Sequence, residues 1–138
     1  MDALILTCGT GGGHNSAAKA VKEEMERRGH HVHLMNPYML RSMALTRAID
    51  GLYIFPAEMI TYLKSLGEEL PFTLFIATDY ACIPFTEETD CDAYVIPMES
   101  LKKDFLRFHI PEEKLNPLGI PVSKQFSQKE SRREAIEK

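Results

Sequence analysis

Tryptophan is absent from the 138-residue chain, cysteine is rare, and no apolar run approaches the length of a membrane-spanning helix. Such a helix needs about 20 consecutive apolar residues, so we expect no transmembrane segment. The N-terminus lacks a basic leader, and its apolar run is too short for a signal peptide. Cys8, Cys82 and Cys91 lack the spacing of a metal site and indicate reduced thiols. We therefore expect a cytoplasmic protein without a metal ion.

Basic residues are too few for one class of partner. The chain has 16 lysine and arginine residues against 20 aspartate and glutamate residues, which gives a net charge of -4. A protein that wraps duplex nucleic acid needs a concentrated basic surface, so we expect no nucleic-acid partner. The hydrophobic content of 44% and the charged content of 26% are typical of a globular domain and exclude a disordered chain.

Strand-like and helix-like segments alternate along the chain. The apolar run Ala3–Cys8 predicts a buried strand, Ala17–Arg28 has helical spacing and precedes Gly29, and His31–Met35 predicts a second strand. A right-handed crossover makes such strands parallel. Further strands are predicted at Thr73–Ala77, Ala93–Ile96 and Leu115–Leu118, and further helices at Met39–Asp50, Ala57–Leu66, Ser100–Phe108 and Lys129–Lys138. The pattern predicts an α/β fold, an open parallel sheet with helices on both faces, in which the strands Ala3–Cys8, His31–Met35 and Thr73–Ala77 share one sheet.

The alternation breaks once, between the predicted helices Met39–Asp50 and Ala57–Leu66. A sheet of this kind normally has a strand between two such helices, so a strand-helix segment is expected to be missing near residues 54–55. The interruption leaves an unpaired strand edge, which makes a homo-oligomer a candidate assembly. We expect one domain over residues 1–122, and a linker or the start of another domain over residues 123–138.

A glycine-rich turn lies between the first strand and the first helix. It contains Gly9, Gly11, Gly12 and Gly13, followed by His14, with Asn15 or Ser16 as the predicted helix cap. The turn has neither the Lys-Ser/Thr pair of a Walker A loop nor the third glycine of a dinucleotide-binding motif. It is either a tight packing turn or a phosphate-binding loop at a helix N-terminus, and its glycine density favours the second. Gly11, Gly12, Gly13 and Asn15 are the candidate binding residues.

Two side chains near this turn are candidate catalytic residues. His14 at the helix start is either an exposed residue of the cap region or a general base, and its position beside the glycine turn favours the base. Asp79 follows the strand Thr73–Ala77, and the carboxyl ends of parallel strands form the ligand crevice in open α/β sheets. Asp79 then orients His14 or binds a substrate hydroxyl; a turn carboxylate that caps local N–H groups is an equal alternative.

The segment Tyr38–Arg47 is apolar and contains two arginines without an acidic residue. A helix of this composition either lies on an anionic membrane surface or packs its apolar face on a core, and the second is the commoner arrangement.

Several of these segments together resemble a known family, that of monogalactosyldiacylglycerol synthases and processive diacylglycerol glycosyltransferases, which is glycosyltransferase family 28-like. The matching stretches are Ala3–Cys8 with the following Gly9–Ala18, then Phe55–Ile60, Thr78-Asp79-Tyr80, Pro97, Ile110–Lys114 and Gly119–Val122. The resemblance implies a Rossmann-like domain, the N-terminal, acceptor-side half of a GT-B fold. It also implies inverting transfer of a hexose from a UDP-sugar to diacylglycerol, without a further cofactor, at the inner face of the cell membrane.

The same resemblance aligns His14 with the family's glycine-loop histidine, which is its proposed base, and Gly12 and Gly13 with its loop glycines. The chain departs from the family where Gly51-Leu52-Tyr53 directly precedes Phe55-Pro56-Ala57, since members have helices and a strand there. The family's C-terminal, donor-binding domain is also expected to be absent. Two alternatives therefore stay open: a non-catalytic binding fragment, and another GT-B nucleotide-sugar enzyme such as an epimerase or a lipid-intermediate transferase.

Overall fold

The computed structural model describes residues 1–7, 12–37 and 55–124. Gly9 and Gly11 of the glycine turn, the predicted helices Met39–Asp50 and Lys129–Lys138, and most of the missing-segment junction lie outside the described residues. Among the described residues, no helix is both long enough and apolar enough to cross a membrane.

The first unit of the fold is a strand, a helix and a second strand. Strand β1 (Asp2–Leu6) pairs in parallel with β2 (His31–Met35), from Asp2 opposite His31 to Leu6 opposite Met35. Helix α1 (Gly12–Arg27) connects them and contacts β2. The alanines at positions 17, 18 and 20 are buried, and their small side chains allow α1 to approach β2 closely. Val32 of β2 is also buried. The predicted parallel crossover is confirmed.

Helix α1 begins earlier than the sequence predicts. Gly12, Gly13 and His14 are already helical, so Asn15 and Ser16 lie inside the helix and the predicted cap at either of them is wrong. Glycine has a low helix propensity, and the pattern of apolar residues starts only at Ala17, which is why the sequence places the start too late. The other end agrees with the prediction. Gly29 has a φ of 84° and donates its N–H to the Glu26 carbonyl oxygen at 2.9 Å.

The second unit contains three parallel strands in the order β3-β4-β5. They are β3 (Leu74–Ile76), β4 (Ala93–Val95) and β5 (Leu115–Asn116), with helix α2 (Phe55–Ser65) before β3 and helix α3 (Lys102–Arg107) between β4 and β5. Short 3₁₀ turns occur at Thr86–Glu88, Glu99–Leu101 and Glu112–Lys114. The largest fully buried side chains are Tyr94, Phe105 and Ile96, so the core of this unit lies between β4 and α3.

The strands form two sheets, β1-β2 and β3-β4-β5, and not the single sheet that we predict from the sequence. All strand pairs are parallel, as expected of an α/β fold, but β3 hydrogen-bonds to β4 and not to β1. Parallel strands exchange backbone hydrogen bonds only with their immediate neighbours, so β1 and β3 are not neighbours in one sheet. The missing strand near residues 54–55 stays a prediction.

A charged cluster connects α2 to the start of β3. The Asp92 carboxylate accepts hydrogen bonds from the Thr73 backbone N–H at 2.7 Å and from the Thr73 hydroxyl at 2.6 Å. Lys64 of α2 donates to the same carboxylate at 3.0 Å and to the Asp90 carbonyl oxygen at 2.9 Å. The Thr73 hydrogen bonds, and then Lys64, lower the pKa of Asp92 to about 2. This cluster therefore holds α2 against the sheet while Asp92 is ionised.

We expect Asp92→Asn to lower the free energy of unfolding by about 1 kcal/mol at pH 7, since hydrogen bonds to charged groups are the stronger ones and this side chain is 40% exposed. A carboxylate with a lowered pKa stabilises the fold above its ordinary pKa, and this contribution disappears as pH falls through the folded value. The difference between wild type and variant should shrink as pH falls from about 4 to about 2. Urea unfolding at several pH values measures this stability difference.

Glu99→Gln, which removes a surface ion pair with Lys102, is the control and should change stability little. An Asp92→Asn effect that does not depend on pH would contradict the assignment.

Candidate functional site

Two threonines follow the carboxyl ends of β1 and β3. Thr7 is buried and donates its backbone N–H to the Met35 carbonyl oxygen at 3.0 Å, which continues the β1-β2 pairing. Thr78 is half-buried and follows Ala77, whose N–H bonds to the Val95 carbonyl oxygen at 2.9 Å. Both side chains therefore stand at the end of a parallel strand, where open α/β sheets bind their ligands.

His14 brings these two strand ends together. It is the third residue of α1 and is half-buried, and its Nδ1 atom lies 2.7 Å from the Thr78 hydroxyl oxygen. The contact joins residues 64 positions apart in the chain, one in each unit of the fold. Although β1 and β3 share no backbone hydrogen bond, the helix that follows β1 and the loop that follows β3 thus meet at one site.

Thr7 contacts the next residue of the helix. Its hydroxyl oxygen lies 3.4 Å from the side-chain oxygen of Asn15, a long hydrogen bond. Two threonine side chains, one from each strand end, therefore contact neighbouring residues in the first turn of α1. This arrangement fixes the direction in which the helix N-terminus points.

Gly12 and Gly13 form the start of the same turn, and Gly11 lies outside the described residues. Both described glycines are exposed, and neither has a positive φ. A Cβ atom added to either would meet no atom of the described residues within 4 Å. Packing within the described part of the chain therefore does not require glycine here. The first N–H groups of a helix have no partner inside the helix, so the start of a helix is suited in general to an anionic ligand.

Asp79 lies one residue beyond Thr78 and is exposed. Among the described residues it makes no hydrogen bond with His14; Thr78, and not Asp79, contacts the Nδ1 atom of the imidazole. Thr78 belongs to the same Thr-Asp-Tyr stretch, and its polar side chain directly after a strand is the signal that identifies it. We find no group of His, Cys, Asp and Glu side chains in the described ranges that is suited to hold a metal ion.

A comparison with known families identifies the family of the chain. The model of the family described as monogalactosyldiacylglycerol (MGDG) synthase matches residues 51–122, just over half of the chain. The matched region contains Thr78 and Asp79, whereas His14 and the glycine turn precede it, so the hydrogen bond between His14 and Thr78 connects the turn to the matched region. A search of curated proteins found no match. The chain belongs to the monogalactosyldiacylglycerol synthase family of glycolipid glycosyltransferases.

Proposed function

We propose that this chain is the acceptor-side half of an inverting glycosyltransferase that transfers a hexose from a UDP-sugar to diacylglycerol. The observation that carries the proposal is the 2.7 Å contact between His14 and Thr78, which brings a candidate base to the carboxyl ends of the strands beside a glycine turn. Family membership supports the reaction class. The donor sugar is held mainly by a second domain of the same enzyme.

The reaction is a single displacement. His14 removes the proton of the lipid hydroxyl while that oxygen attacks the anomeric carbon of the sugar. The new carbon–oxygen bond forms on the face opposite the leaving group, the bond to the diphosphate oxygen breaks, and UDP departs with the electron pair. The imidazolium then releases its proton to solvent, which returns His14 to its starting state.

The glycine turn stabilises the negative charge that develops on the diphosphate. The backbone N–H groups of Gly12 and Gly13 lie in the first turn of α1, where the helix dipole also favours an anion. Side chains at these positions would keep the diphosphate oxygens away from the backbone. Asn15 borders the same turn, and Asp79, exposed at the rim, is available to a substrate hydroxyl. No cofactor other than the donor takes part.

The lipid acceptor determines where the enzyme works. Diacylglycerol resides in a bilayer, so the acceptor-side half contacts a membrane surface, and we propose the cytoplasmic face of the cell membrane. The predicted amphipathic segment Tyr38–Arg47, which lies outside the described residues, is the candidate contact. Homo-oligomerisation through the interrupted sheet stays a prediction.

The 138-residue chain alone should not transfer sugar, because positioning of the donor supplies a large part of catalysis and the proposal assigns these 138 residues to the acceptor-side half. The test incubates the pure chain with UDP-glucose or UDP-galactose and diacylglycerol vesicles, and measures glycolipid by mass spectrometry. Turnover well above the protein-free background would contradict the assignment of this chain to one half of the enzyme.

His14→Ala should lower kcat by about 10²–10⁴-fold in a full-length protein that joins this chain to a donor-binding domain, because a general base contributes that much. Donor affinity should change little. His33→Ala, which removes an exposed histidine from β2, is the matched control and should leave kcat unchanged. If His14 is only a structural residue of the helix start, its replacement would instead lower the melting temperature and leave turnover nearly intact.

Gly13→Ala should separate the ligand role of the turn from a packing role. Alanine favours helix by up to about 1 kcal/mol over glycine, and no described atom lies near the added Cβ, so the melting temperature should stay equal or rise. The value of kcat/KM for the donor should fall in the same full-length protein, because the methyl group obstructs the diphosphate. Lower stability with unchanged kinetics would favour the packing turn.

A further inference from the structure

We propose that Thr78 is a positioning residue that holds His14 in the tautomer with a proton on Nδ1, so that Nε2 carries the lone pair that accepts the substrate proton. The direction of this hydrogen bond rests on the proposed function, since a general base needs an unprotonated nitrogen facing its substrate. The contact itself rests on geometry alone.

The distance between the two side chains is that of a well-formed hydrogen bond. Thr78 Oγ1 and His14 Nδ1 are 2.7 Å apart, and both residues are half-buried, so the bond is partly protected from competition with water. A neutral imidazole has a proton on one ring nitrogen and a lone pair on the other. A partner that accepts a hydrogen bond from Nδ1–H therefore leaves the lone pair on Nε2, and the proposal gives this accepting role to the Thr78 hydroxyl, which can also donate.

The position of Thr78 is set by the sheet and not by the site. Ala77, directly before it, donates its N–H to Val95, and β3 pairs with β4 over its whole length. The β-branched side chain of threonine has restricted rotamers, so its hydroxyl keeps one direction once the backbone is fixed. His14 lies on a helix whose first turn also contacts Thr7 through Asn15. His14 thus lies on a helix and Thr78 lies two residues beyond a paired strand, and sites supported by such elements are more precise than sites on long loops.

A hydroxyl has a specific advantage over a carboxylate in this position. The hydroxyl oxygen accepts a hydrogen bond from Nδ1–H and so orients the ring, but it adds no negative charge next to the imidazole. A carboxylate at hydrogen-bond distance favours the charged form of a histidine, and a protonated histidine cannot act as a base. Thr78 therefore orients the His14 ring without placing a negative charge next to it.

The test measures the tautomer directly in the 138-residue chain labelled with ¹⁵N at histidine. Long-range ¹H–¹⁵N spectra at about pH 8.5, well above the ordinary histidine pKa, report which ring nitrogen carries the proton. The His14 signal is the one that disappears in His14→Ala. Wild type and Thr78→Ser should show the Nδ1–H form. In Thr78→Val, which has the same shape without the hydroxyl, the population should move toward the Nε2–H form.

The other four histidines and the melting temperature show whether each variant keeps the fold; Thr78→Ala repeats the comparison if valine perturbs it. A Nε2–H form in wild type, or a tautomer that Thr78→Val does not change, would overturn the proposal.

Kinetics in the full-length protein provide the second readout. Thr78→Val should lower kcat roughly tenfold, part of the ~10²–10⁴-fold effect of a base, with KM unchanged and activity restored by Thr78→Ser. Full activity of His14→Ala would overturn the proposed function instead, whatever the tautomer.

Discussion

The contact between Thr78 and His14 is the interaction on which the arrangement of the site depends. Within residues 1–7, 12–37 and 55–124, the sheets β1-β2 and β3-β4-β5 share no backbone hydrogen bonds, and side-chain contacts connect their two units. Thr78 and His14 meet at the carboxyl ends of the strands. On the outer face of α1, Glu23 accepts from Ser123 and Glu24 from Lys124, each at 2.9 Å. These surface contacts are exposed and individually weak, whereas both residues of the pair at the strand ends are half-buried.

Local pattern predicts most of the elements, since each depends on neighbouring residues alone. Strand β2 has the predicted bounds, Gly29 ends α1 with its positive φ, and α2 begins beside Pro56 as expected. The strands β3 and β4 are shorter than their apolar runs, because pairing and not composition determines where a strand stops. The sequence places the start of α1 too late because glycine has a low helix propensity. These errors change the description of the turn: Gly12 and Gly13 belong to the helix that carries His14.

Two features of the site depend on tertiary structure and could not be predicted from the sequence. The division into two sheets follows from pairing partners that are distant in the chain. The choice between Thr78 and Asp79 as the partner of His14 depends on the direction of one side chain after β3, and consecutive residues of an extended segment point to opposite sides. The sequence nevertheless predicts that His14 and the Thr78-Asp79-Tyr80 stretch lie at one edge, because the carboxyl ends of parallel strands share it, and the structure has His14 and Thr78 in contact there. The family match begins at residue 51, so only the fold connects it to His14.

A double-mutant cycle between His14→Ala and Thr78→Val tests the central claim most directly, that the two strand ends form one catalytic unit. The measured quantity is kcat for sugar transfer to diacylglycerol in the full-length protein. If Thr78 acts through the imidazole, Thr78→Val should slow the wild-type enzyme but have no further effect once His14 is alanine, so the two effects are strongly non-additive. Additive effects of the two substitutions would show that Thr78 and His14 act independently, and would contradict the account.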